Sequence, residues 1–288
     1  MRRKIYLENQ TGERVALNGE NGLWLVDAEG FGAENENSYA DYGYGFFVNT
    51  NAKNHPQQTV TGTLIFQGTD TLAVWQEFAA FALTATKLYI VYVPVRADRE
   101  YRRQAEIKFL TKGERKVNYL EVAASFICLT PWYRLTPVNA SMQKQSENAA
   151  RYSWRYGTTV YGRSGGDGIS AEVTAAGHLP SAVVFEFDGE IVNPVLKLTD
   201  ENGETIGECA LAASTETGEQ LVISTLYTDS YARKISNGTE TDLLSTLDIS
   251  KEDPFFRIPV GKTCDITVSS DSTSGTAKVS VYDYYRSV

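Results

Sequence analysis

The chain has 288 residues and a mass of 31.9 kDa, enough for two domains that each bury a core. Hydrophobic residues make up 42% and charged residues 22%, and no apolar run approaches the roughly 20 residues that a membrane helix needs. The net charge of −9 is uneven: residues 1–145 hold 16 basic and 15 acidic groups and residues 146–288 hold 11 and 21, so two domains with different surfaces are expected and the second is a poor match for nucleic-acid phosphates.

Met1-Arg2-Arg3-Lys4 leads into a strand interrupted by polar residues rather than into an apolar signal core, which predicts synthesis and retention in the cytoplasm. Residues 19–58 are rich in turns, with Tyr39, Tyr42 and Tyr44 set among glycines before Phe46-Phe47-Val48. Tyrosines supply broad amphipathic contact area and long loops usually carry function. These three therefore read as a subunit-contact loop, with a plain surface loop as the alternative.

Residues 63–67 (TLIFQ) form a short apolar run closed by Gly68 and predict a strand. Asp70 or Thr71 can cap a following helix, in which Leu72, Trp75, Phe78, Ala79, Ala82 and Leu83 recur at three-to-four-residue spacing. That aromatic stripe suits packing on a sheet. Residues 88–93 (LYIVYV) predict a buried strand ended by Pro94. A basic tract over 96–116 then alternates at Ala105, Ile107 and Phe109, and alternation resumes over 119–129. This predicts a long β-hairpin with a charged face and its turn at Lys112-Gly113-Glu114.

The polar interval 137–148 reads as a linker between a first domain over 1–136 and a second over 149–288. Beyond it only short β-prone runs appear, at 152–156, 169–174, 182–187, 195–199, 204–210, 221–224, 232–235, 264–269 and 278–285. Turn signals separate them at Gly165-Gly166, Gly189, Asn202-Gly203, Asn237-Gly238 and Ser274-Gly275. Many short strands with regular turns predict an antiparallel sandwich of the jelly-roll or galectin-like kind.

Chemistry is sparse in this pattern. Cys128, Cys209 and Cys264 lie far apart in apolar runs and read as buried thiols, and His55 and His178 have no Cys or His at ligand spacing, so no metal site is expected. Asp188 with Glu190, and Asp200 with Glu201 and Glu204, flank glycines and read as solvated turn carboxylates rather than a glycosidase pair. No catalytic residue and no cofactor is assigned. Trp154, Tyr156 and Tyr161, with Tyr227 and Tyr231, either stack a saccharide ring or pack against protein. Alternation places 152, 154 and 156 on one face under both readings.

Several stretches together are similar to one family. Lys4-Ile5-Tyr6-Leu7-Glu8-Asn9, Phe66-Gln67-Gly68, Trp75-Gln76-Glu77-Phe78 and Thr130-Pro131-Trp132-Tyr133 fall in the order found in the distal tail protein of long-tailed, non-contractile phages and prophages of Gram-positive bacteria. Asn193-Pro194, Gly218-Glu219-Gln220-Leu221 and residues 255–261 (FFRIPVG) resemble its second domain. The resemblance implies a mainly β chain: a β-sandwich ring domain with one helix and a long hairpin, then a galectin-like β-sandwich. It also implies a homo-hexameric ring, single or doubled back to back, that joins the tail tube to tail-fibre hub and receptor-binding proteins at the virion tail tip. The ring would pass DNA through its lumen, bind no membrane, and leave host saccharide as a further partner of the second domain. A free-standing saccharide-binding module is the rival reading.

Overall fold

The computed structural model describes residues 3–33, 39–41, 46–48, 56–95, 99–138, 141–143, 168–251 and 253–288. They fall into two compact units, residues 1–134 with 285–288, and residues 135–284. The fold is mainly antiparallel β with one α-helix.

Unit 1 begins with β1 (Lys4–Asn9), β2 (Arg14–Ala16), β3 (Leu23–Glu29), β4 (Tyr39–Asp41), β5 (Phe46–Val48) and β6 (Thr59–Gln67). After α1 (Thr71–Thr84) come β7 (Leu88–Val93), β8 (Tyr101–Arg115) and β9 (Tyr119–Cys128), and β10 (Trp132–Val138) starts here. Strands run β2-β1-β7-β8 on one side and β8-β9-β6-β3 on the other, while β4 and β5 pair as a separate ribbon. Strand β8 belongs to both series: Tyr101 to Ala105 pair with β7, and Ala105 to Arg115 pair with β9. Between the two lies a core of Leu7, Leu23, Leu64, Phe66, Leu120, Phe126 and Trp132, each under 3% exposed.

Helix α1 starts where the Asp70 carboxylate accepts the Ala73 amide at 3.1 Å, filling the N-cap role. Its inward stripe is Val74, Trp75, Phe78, Phe81 and Ala82, with both Trp75 and Phe78 set edge-on to Phe66 of β6. Leu72 and Leu83, expected on that stripe, are exposed. The 3.6-residue period centred on Phe78 runs through 71, 75 and 82 and passes them by. The hairpin turn is also displaced from its expected position: β8 continues through Lys112-Gly113-Glu114 and the chain reverses at residues 116–118. Gly113 instead sits in a register shift, where a Cβ would come within 3.0 Å of the Glu121 carbonyl oxygen.

Unit 2 contains β11 (Ser141–Gln143), β12 (Gly168–Thr174), β13 (Leu179–Val192), β14 (Val195–Thr199), β15 (Thr205–Ala210) and β16 (Ser214–Thr215). It continues through β17 (Gln220–Thr225), β18 (Ser230–Ser236), β19 (Thr239–Asp242), β20 (Thr263–Ser269) and β21 (Ser272–Tyr285). One sheet orders β19-β18-β17-β13-β21 and the other β11-β12-β20-β14-β15. Their facing residues, Val183, Phe185, Phe187, Ile223 and Val281 from the first and Val173, Leu196, Leu198, Cys209 and Ile266 from the second, form the sandwich core. The expected strand over 152–156 lies outside the described residues.

Gly189 and Ser274-Gly275, read as turns, lie within the two longest strands of this unit, with Gly189 directly opposite Gly275. Glycine is required because a Cβ on Gly275 would meet the Asp188 carbonyl oxygen at 2.1 Å. The buried carboxylate of Asp283 accepts from the Ala176 amide and the Ser181 hydroxyl, each at 2.9 Å, and from the Thr136 hydroxyl at 3.2 Å. These bonds offset its desolvation. Phe256, fully buried, closes the end of the core against Gly207, where an added Cβ would lie 2.5 Å from the Phe256 Cβ.

Two outcomes are expected. Gly207→Ala overpacks this contact and lowers stability by about 1–3 kcal/mol in urea unfolding, whereas Gly203→Ala adds a Cβ in open space and costs only the strain of its positive φ. Cys128, Cys209 and Cys264 are all buried and free, and burial raises each thiol, that of Cys209 to about 12. Since the thiolate is the nucleophile, none reacts with Ellman's reagent in the native protein, and all three react once the chain is unfolded in guanidinium chloride.

Candidate assembly surfaces

Past Ala105 β8 pairs only with β9, so its outer edge has no strand against it among the described residues. The side chains follow suit. Lys108, Lys112, Glu114 and Arg115 are exposed, Phe109 is 43% exposed, and Val117 at the turn is 94% exposed. At the base of the turn the Lys116 ammonium lies 3.3 Å from Glu121 and 4.9 Å from the centre of the Tyr119 ring. Basic, acidic and apolar side chains thus share this open edge.

An ion-pair network crosses the sheet β2-β1-β7-β8 on the side away from the core. Glu8, only 5% exposed, receives Arg14 Nε at 2.5 Å and Arg102 Nη1 at 3.3 Å, and Arg14 also forks onto Glu100 at 2.9 and 2.8 Å. Arg14 holds the Glu100 carboxyl below the usual carboxylate range. Cross-strand placement explains the geometry, since Glu8 is directly opposite Arg14 in the β1–β2 register.

On the core side of the same strand, Arg103 is 5% exposed and has no carboxylate partner among the described residues. Its Nε donates to the Thr130 carbonyl oxygen and its Nη1 to Gln58 Oε1, both at 2.6 Å, and the guanidinium lies 5.5 Å from the Trp132 ring centre. Burial pulls its pKa down. Gln58 in turn donates from Nε2 to the Gly32 carbonyl oxygen at 3.1 Å. The buried cation thus ties together the two ends of residues 33–57, the tyrosine-bearing segment. Within it Tyr39 opens β4, and Tyr42 and Tyr44 lie outside the described residues. Neither the network nor this clamp was expected, yet there was a signal for Arg103: extending the Ala105, Ile107, Phe109 alternation back two residues puts it on the apolar face.

In unit 2, Trp154, Tyr156 and Tyr161 lie outside the described residues. Tyr227 donates to the Pro180 carbonyl oxygen at 3.1 Å, packs on Tyr284 with ring centres 4.9 Å apart, and carries the Arg257 guanidinium 4.5 Å from its ring centre. Arg233 lies 4.1 Å from the ring centre of Tyr231. A cation therefore already covers one face of each ring. Asp188 and Glu190 are exposed strand residues. Glu190 borders an open hollow of about 350 Å³ with Val192, Ser214, Thr215, Glu216 and Thr217, a lining without an aromatic face on which a sugar could stack. Asp200 Oδ1 accepts the Asn202 and Glu204 amides at 2.9 and 2.8 Å, which holds its carboxyl below the usual range as a turn cap, with only Gly203 in the left-handed region there. Among the described residues no three His, Cys, Asp or Glu side chains gather as metal ligands.

Residues 4–129 match the family model described as "Distal tail protein, N-terminal domain". No curated protein matches the chain. Among solved structures, the baseplate of phage P2 in its activated conformation with calcium aligns over 100% of both chains at 14% identity, with a TM-score of 0.70. The Dit protein of phage SPP1, described as a hub of the adsorption apparatus in phages that infect Gram-positive bacteria, aligns over 97% of this chain and 98% of its own. Its identity is 11% and its TM-score 0.59. At these identities the structures speak for the fold alone. Residues 4–129 form a distal tail protein N-terminal domain, and the whole chain shares the fold of these baseplate and hub chains.

Proposed function

We propose that this protein is the hub of a tail tip: six copies associate head to tail through unit 1 into a closed ring around the tail channel. The ring joins the last tail-tube ring on one side to the tail-tip proteins on the other, and its lumen passes the genome. Unit 2 faces outward and carries receptor-binding components, its sequence holding 11 basic and 21 acidic groups. The match of residues 4–129 to a distal tail N-terminal domain carries this reading, supported by the end-to-end likeness to a baseplate chain and a hub protein. Activity here is binding by complementary surfaces, with no bond made or broken. A heterologous contact that closes on itself is the physical requirement.

The purified protein is expected to show a mass by light scattering of about 191 kDa, six times 31.9 kDa, or twice that if two rings stack back to back, with ring-shaped particles in negative stain. A monomer of 31.9 kDa at high concentration, together with a failure to bind tail-tube ends, would overturn the proposal.

A further inference from the structure

Unit 1 is nearly neutral overall, but its charge is sorted. Residues 15–52 hold six carboxylates, from Glu20, Asp27, Glu29, Glu34, Glu36 and Asp41, and no Lys or Arg, whereas residues 87–116 hold nine basic and four acidic side chains. The series β8-β9-β6-β3 places part of each block on an opposite edge of one sheet: Lys108, Lys112 and Arg115 outnumber Glu106 and Glu114 along the free part of β8, and Asp27 and Glu29 lie along β3. On β3 the backbone of Leu23 to Leu25 is engaged by residues 17–19, while Val26 to Glu29 have β6 on one side and no strand on the other among the described residues. Asp27 and Glu29 on that edge, and Lys108, Lys112 and Arg115 on the β8 edge, are exposed and in no ion pair among the described residues.

Both edges are also guarded. Register shifts interrupt β3 between Val26 and Glu29 and β8 at two places, and lysines dot β8. Such features prevent indiscriminate strand pairing and leave charge to choose the partner. We propose that the partner is a second copy of this chain, whose acidic β3 edge meets the basic β8 edge of the first. The geometry is consistent with repetition. The four strands alternate in direction, so copies related by rotation about an axis along the strands meet antiparallel at every seam. Each copy offers one edge of each sign, which makes the contact heterologous and lets it propagate until the ring closes. Phe109 and Val117 lie along the basic edge and supply the apolar surface that a purely ionic seam would lack. One exposed pair is weak, but the same pairs recur at each seam and orient the copies as they meet.

This inference rests on the ring reading, and one set of full-length variants separates the two. Lys108→Glu with Lys112→Glu gives a seam of like charge, as does Asp27→Asn with Glu29→Lys, the asparagine tolerating the left-handed backbone at position 27 (φ 51°). Each variant, checked for native circular dichroism, is expected to dissociate at concentrations at least about tenfold above the wild type, and the chain carrying all four substitutions to regain assembly. A wild-type oligomer unchanged by either double substitution would overturn the seam and leave the ring standing, while a monomeric wild type would overturn both. Should a variant fail to fold, salt decides: the wild-type oligomer loosens as the Debye length shrinks to about 3 Å near 1 M sodium chloride, and a mass indifferent to salt counts against the seam.

Discussion

A buried peptide group must find a hydrogen-bond partner, and unit 1 meets that demand through a single fifteen-residue strand. The first third of β8 lies between β7 and, at Arg102, β10, and the rest has β9 alone. Strand β8 is where one strand series ends and the other begins, so the core can close between them without a barrel. The same division leaves a ten-residue stretch, residues 106–115, with one edge of its backbone facing outward, and the shape of any contact made there follows from it.

Arg103 lies at that switch and shows how a charge is kept in an apolar interior. Two hydrogen bonds at 2.6 Å and the face of Trp132 stand where a carboxylate would be expected. What the arrangement secures is position. Thr130, Gln58 and, through Gln58, Gly32 are gathered around one planar group, so three pieces of chain distant in sequence are fixed together. Phe31 completes the cluster by stacking on Trp132 with ring centres 5.6 Å apart.

Much of the fold was legible because strands and helix announce themselves through period. LYIVYV, the Ala105 alternation and the second-half runs that fall among the described residues became strands, and Asp70 capped the helix. Glycine misled the reading where its role was tertiary: Gly113 and Gly275 resemble turn residues, yet each leaves room for a neighbouring backbone inside a strand, information held by the facing chain and not by the local sequence. Pairings such as Glu8 with Arg14 and Arg102 likewise depend on register and strand order, which no single stretch encodes. The aromatic candidates at 154 and 156 had only alternation behind them, and alternation fits a sugar platform and a protein contact equally.

The chain leaves unit 1 after Arg134 and returns to it at Tyr285, which is buried in that unit's core, with Tyr101 edge-on to it at 5.1 Å. Unit 2 is therefore an insertion, and the bond from Thr136 to Asp283 shows that its two ends lie side by side. Any pull that a bound partner exerts on unit 2 is divided between two covalent strands. A single cut in either one leaves unit 2 tethered to unit 1 through the other.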